Sequence, residues 1–120
     1  MAFEDTLARL LAAQKDAIGV LFLDSTGETV HLACNELSSY DLQVIGAYLG
    51  IYMRHLDKVM TLNHLGKTRL IHIEKRQVHI HVLQLPDGYC LALVQRHPGL
   101  VAHARAGLAA AGEELVRELF

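Results

Sequence analysis

With 120 residues, 52% of them apolar, the chain can bury a core without disulfides or a structural metal. Its formal charge of −2 comes from interspersed signs, so no basic stripe exists to track a phosphate backbone, which argues against a nucleic-acid binder. The longest unbroken apolar run, AIGVLFL at 17–23, falls far short of the roughly 20 residues of a membrane helix.

The acidic start MAFEDT is unlike a signal peptide, and Cys34 and Cys90 lie in apolar, strand-like runs that suit buried free thiols. A soluble cytoplasmic protein with no membrane insertion is expected. No internal repeat, low-complexity tract or linker divides residues 1–120, so one domain is expected.

Phe3, Leu7, Leu10 and Leu11 recur at helical spacing and open the chain on an amphipathic helix. AIGVLFLD, apolar on both faces, reads as a central strand covered above and below. In DSTGE, Asp24 can bond the backbone ahead of it and Gly27 can take positive φ, so ETVHLAC should return antiparallel as a second strand. Ser38 with Asp41 three residues on marks a helix start, and the longest periodic segment follows, from about Ser39 to Leu65. One of its stripes is Leu42, Ile45, Leu49, Tyr52, Leu56 and Val59; beside it runs a second, Val44, Tyr48, Ile51, His55 and Leu62. One sheet cannot bury both stripes. Gly46 and Gly50, one turn apart, would let a second backbone approach there; the alternative is that they sit beneath bulky sheet residues.

After Gly66, KTRLIHIEKRQVHIHVLQL at 67–85 forms a hairpin of strands three and four, PDGY at 86–89 is a turn, and YCLALVQ is strand five. A turn near Lys75 and Arg76 would set Ile73 opposite Val78, Ile71 opposite Ile80 and Arg69 opposite Val82, leaving one face nearly all β-branched. Beyond Pro98 and Gly99, Val101, Ala104, Leu108, Ala111, Leu115 and Leu119 make the stripe of a closing helix.

Catalytic signatures are missing. TLNHLGKT ends like a phosphate loop but has Thr61 in place of the leading glycine and joins a helix to a strand, the reverse of what that motif needs. No glycine-flanked serine elbow occurs, and the aspartates sit among lysines and arginines on helix surfaces. Arg54 reads as a solvated helix residue. The expectation is no enzyme, no catalytic residue and no cofactor.

The histidines of the hairpin are the remaining chemistry. The expected register sets His72 opposite His79, with His81 on the same face and Glu74 beside the turn, a geometry in which neutral imidazoles converge on zinc. The competing readings are a semi-exposed sheet face that tolerates polar side chains, and a strand edge whose pairing responds to pH. His72, His79 and His81 are therefore the metal candidates, and a small-ligand or zinc sensor using this face is the alternative function.

Taken in order, AIGVLFLDSTGETV, the long helix from SSYDLQVIGAYLG, LIHIE, LPDGYCLALV and PGLVAHARAGLAAAGEEL resemble the roadblock-type domain. That family includes the roadblock dynein light chains and bacterial regulators of small Ras-like GTPases. The resemblance spans about residues 3–119. It implies an α+β fold: a five-stranded antiparallel sheet with the long helix on one face and the terminal helices on the other. It also implies a homodimer in which strand three pairs with its copy and the middle helices lie side by side. Gly46, Tyr48, Ile51, Gly50, Arg69, Ile71 and Ile73 would then line the interface. The implied role is a regulatory or scaffold module that binds a small Ras-like GTPase or its associated complex. Many bacterial members have a small, alanine-rich middle helix, whereas this chain carries Tyr48, Tyr52, Met53 and His55.

Overall fold

In a computed structural model that describes residues 2–120, the chain forms α1 (Ala2–Ala13), β1 (Ala17–Leu23), β2 (Thr29–Cys34), α2 (Ser39–Leu62), β3 (Leu70–Glu74), β4 (Val78–Gln84), β5 (Cys90–Arg96) and α3 (Val101–Leu119). The expected α+β order is the order found. The sheet is antiparallel throughout, β2-β1-β5-β4-β3, so β1 is interior and β3 is a free edge. No helix among the described residues is long and apolar enough to cross a membrane.

Local chemistry fixes the junctions. Asp24 Oδ1 accepts from the backbone N–H groups of Thr26 and Glu28 at 2.9 and 3.0 Å, and Gly27 takes φ +86°, which turns β1 into β2. The Thr26 hydroxyl donates to the same carboxylate and, with those backbone bonds, holds Asp24 below the usual carboxylate range. Ser38 Oγ accepts from the Asp41 N–H at 3.0 Å and caps α2.

Every residue of β1 is buried, because the sheet is covered on both faces there. Leu7, Phe22, Leu91, Leu93, Leu108 and Leu115 fill the layer under α1 and α3. Leu21, Leu23, Leu42, Leu49, Val82 and Val94 fill the layer under α2. Cys90 lies in this second layer, where burial pushes its thiol up to about 11; both cysteines are free.

Two expectations are corrected. The buried stripe of α2 is Leu42, Gly46, Leu49, Gly50 and Met53, rotated from the predicted one, and Tyr52 and Val59 are exposed. Glycine is the cause: a Cβ on Gly46 would stand 2.9 Å from Leu23 Cδ2, and one on Gly50 would stand 2.7 Å from the Gly27 Cα. Both glycines thus seat α2 on its own sheet and on the β1–β2 turn, so Gly46 and Gly50 do not mark a helix-to-helix contact. The β3–β4 register is also displaced by two residues: Ile73 pairs with Ile80, Ile71 with Val82, His72 with His81 and Glu74 with His79. The turn is centred on Arg76 and Gln77, closed by the Lys75 N–H donating to the Val78 carbonyl at 2.8 Å. An even shift keeps every side chain on its expected face.

Because the neighbour of Gly50 is backbone, Gly50→Ala is expected to destabilise the fold by about 1–2 kcal/mol, overpacking outweighing the roughly 1 kcal/mol gain in helix propensity. Urea denaturation measures this, and an unchanged or higher midpoint would contradict the close seating.

Candidate functional site

Two features stand out, one on each face of the β4–β3 end. On the α2 face, the helix packs most closely over β1 and β2, and Ile80 and Val82 of β4 are still buried in the same layer, so the cover thins only at β3 and the turn that follows it. Ile71, Ile73 and Val78 are only partly buried there. Between them and the outer side of α2 runs an apolar groove of about 400 Å³, lined by Ile18, Ile45, Tyr48, Tyr52, Ile73 and Val78. Tyr48 and Tyr52 are each 58% exposed and Ile51 is 40% exposed, so the outer stripe of α2 faces solvent. On the other flank, His55, Leu56, Val59 and Ile71 form a second apolar shelf.

The edge beside this face is unpaired. Lys75 donates to Val78, and Gln84 donates to the Arg69 carbonyl at 2.8 Å. In an antiparallel ladder, these bonds turn the backbone groups of Arg69, Ile71, Ile73 and Lys75 toward β4 and those of Leu70, His72 and Glu74 outward. Asp57 anchors the approach to this edge, accepting from the Thr68 N–H at 3.0 Å and from Gln84 Nε2 at 2.9 Å. Arg69 and Leu70 are both exposed.

The opposite face carries the histidines. Register makes two rows, Glu74–His79–Gln95 and His72–His81–Leu93. His79 and His81 are buried, at 5% and 0% exposure, and His72 is half-buried. The expectation of a semi-exposed face therefore holds for β3 alone, because α3 packs against β4. His81 Nε2 donates to Gln95 Oε1 at 2.7 Å, and its Nδ1 is buried with no partner. Arg105 on α3 lies 3.1 Å from His72 Nδ1, and His72 Nε2 lies 2.8 Å from His79 Nδ1.

Arginine only donates, so His72 Nδ1 accepts, His72 carries its proton on Nε2, and that N–H donates to His79 Nδ1. This chain of bonds needs both imidazoles neutral. Burial lowers the His79 pKa first, with the nearby His97 and His72 adding to it. Burial also lowers that of His81, with His72, Arg105 and His79 adding and the bond to Gln95 opposing.

Of the three metal candidates, the structure brings His72 and His79 together with Glu74, their donor atoms within 4.8 Å of one another. His81 is not in this group; its Nε2 is held by Gln95. Sequence reasoning missed His97, whose ring centroid lies 3.8 Å from that of His79 and whose Nε2 is buried without a partner. It also missed Gln95 and Arg105. Gln95 was readable in principle, since alternation along β5 puts it on the histidine face once β4 is its neighbour.

No family model and no curated protein matches the sequence. Solved structures do match the fold. The roadblock/LC7 domain from Streptomyces avermitilis superposes with a TM-score of 0.86 at 14% identity, over 97% of this chain and 96% of that one. An MglB in a tetrameric arrangement gives 0.87 at 14%, over 97% and 86%. MglB of Myxococcus xanthus gives 0.85 at 13%, over 98% and 94%. The fold is the roadblock fold, as the sequence pattern implied.

The lowered imidazole pKa values have a thermodynamic consequence. Folded His79 and His81 refuse protons that the unfolded chain accepts near the ordinary value of 6.5, so their contribution is complete above that pH and is lost as the pH falls below it. Urea midpoints taken from about pH 7.5 down to about pH 5 should fall, and less steeply in His81→Gln. An equally steep fall in the variant would refute this assignment.

Proposed function

We propose that the chain is a homodimeric cytoplasmic docking module, residues 1–120 acting as one unit, that binds a small Ras-like GTPase or its associated complex. One observation carries the pairing: an apolar groove and an unpaired strand edge lie side by side at the β3 end of the sheet, where the cover of α2 thins. A second copy related by a two-fold axis has the matching parts. Its β3 completes the edge with the outward backbone groups of Leu70, His72 and Glu74, and its α2 covers Ile71 and Ile73. Tyr48 and Ile51 on the outer stripe of α2 meet their counterparts, and Arg69 sits at the end of the paired strands. Gly46 and Gly50 have no part in the contact.

The GTPase side of the reading is supported by the roadblock fold and by its likeness to MglB. The module acts by docking and not by chemistry of its own. Arg54, the one arginine of α2, lies against Gly27 in the β1–β2 turn. Any effect on nucleotide turnover therefore comes from placing the groups of the bound GTPase.

Sedimentation velocity at micromolar concentration should give a particle of twice 13.3 kDa, and Ile71→Asp should give a folded monomer. A well-folded monomer of the unaltered chain would overturn the pairing. A small GTPase in its GTP-bound form should then be retained by the dimer and released by the monomeric variant.

A further inference from the structure

The hairpin of β3 and β4 holds two imidazole nitrogens and a carboxylate aimed at one region, with donor atoms of His72, Glu74 and His79 all within 4.8 Å. His72 Nε2 and His79 Nδ1 stand 2.8 Å apart and share one proton. In a tetrahedral zinc site with nitrogen bonds of about 2.0–2.1 Å, ligand nitrogens stand roughly 3.4 Å apart. An opening of about half an ångström, within reach of a side-chain rotation of the half-buried His72, thus converts this hydrogen bond into a pair of ligands.

We propose that His72 Nε2, His79 Nδ1 and the Glu74 carboxylate form a binding site for a divalent first-row transition metal of the zinc class. Two imidazoles and one carboxylate are the donor set that suits such an ion, and no thiolate takes part. His79 is fixed in place by burial and by the ring of His97 at 3.8 Å. Its Nδ1 accepts the hydrogen bond from His72, so a lone pair already faces the site. Glu74, exposed at the end of β3, supplies the negative charge. The fourth position belongs to water.

Arg105 is the competitor. It donates to His72 Nδ1 at 3.1 Å. With a metal on Nε2, the His72 proton moves from Nε2 to Nδ1, and that N–H cannot face a guanidinium. Arg105 is an exposed side chain on α3 and must swing away for the ion to enter. This predicts an inverse effect that a merely structural cluster would not show: removing a surface charge next to the site strengthens binding.

The site lies within one chain, so it does not depend on the pairing of two copies. The test uses tag-free protein stripped with a chelator and titrated with Co²⁺ followed by visible absorption, and with Zn²⁺ followed by calorimetry. One ion per chain is expected. Glu74→Gln and His72→Gln should each weaken binding about tenfold or more, and Arg105→Ala should strengthen it. His103→Ala, on the exposed side of α3, should leave it unchanged. Absence of stoichiometric binding overturns the site. So does binding that persists undiminished in both Glu74→Gln and His72→Gln, when circular dichroism shows those variants folded.

Discussion

The close seating of α2 is the constraint on which the rest depends. Gly46 over Leu21 and Leu23, and Gly50 against Gly27, let the helix backbone descend onto β1 and onto the turn that follows it. A helix held there by contact with fixed backbone meets β3 only along its margin, where Leu56 and Val59 lie beside Ile71. The sheet has five strands and α2 sits toward one side of it, so the thin cover over β3 is a consequence of where the glycines stand. Leaving Ile71, Ile73 and Val78 part-exposed costs roughly 25 cal/mol for each Å² of apolar surface that remains wet. A monomer with a centred helix would avoid that cost. The proposed second copy would cover that surface, and an unpaired β3 adds a row of backbone groups in want of partners.

The opposite face obeys a different rule. Polar rings placed under α3 lose their water and must find partners within the protein. Gln95 satisfies one nitrogen of His81, and Arg105 with His72 organises a chain of donors that ends on His79. The provision is incomplete: His81 Nδ1 and His97 Nε2 stay buried and unpaired. A face built only for stability would carry leucine or valine at these positions, as β1 does. The result is a cluster of four imidazoles, each ring centroid within 4.9 Å of another's.

The fold was legible because its signals are local. Ser38 and Asp41, the Asp24–Gly27 turn and the period of each segment placed every element to within a few residues. What failed was anything set by tertiary contact. The hydrophobic stripe of α2 was drawn through Tyr52 and Val59 on residue type alone, whereas the buried stripe runs through two glycines whose lack of a side chain is the reason for burial. The hairpin turn was centred one residue early, since Lys75, Arg76 and Gln77 carry no glycine or asparagine to mark it. His97 was invisible for a topological reason. It follows β5 in sequence but meets β4 in space, its N–H donating to the Gln77 carbonyl at 3.0 Å, and only the strand order β5-β4 reveals this.

Both proposed activities converge on the five residues of β3, which keeps them separable. Alternation sends Ile71 and Ile73 to the α2 face and His72 and Glu74 to the other. A side chain changed on one face leaves the other face its geometry, so docking and metal binding can be lost independently. The backbone allows no such separation. The N–H and C=O groups that point out from this edge belong to Leu70, His72 and Glu74, so the same residues that offer ligands on one face would carry the ladder to a second copy. Rotation of His72 onto an ion turns its side chain about bonds beyond Cα and leaves those backbone groups in place. A metal and a partner copy therefore compete for no atom.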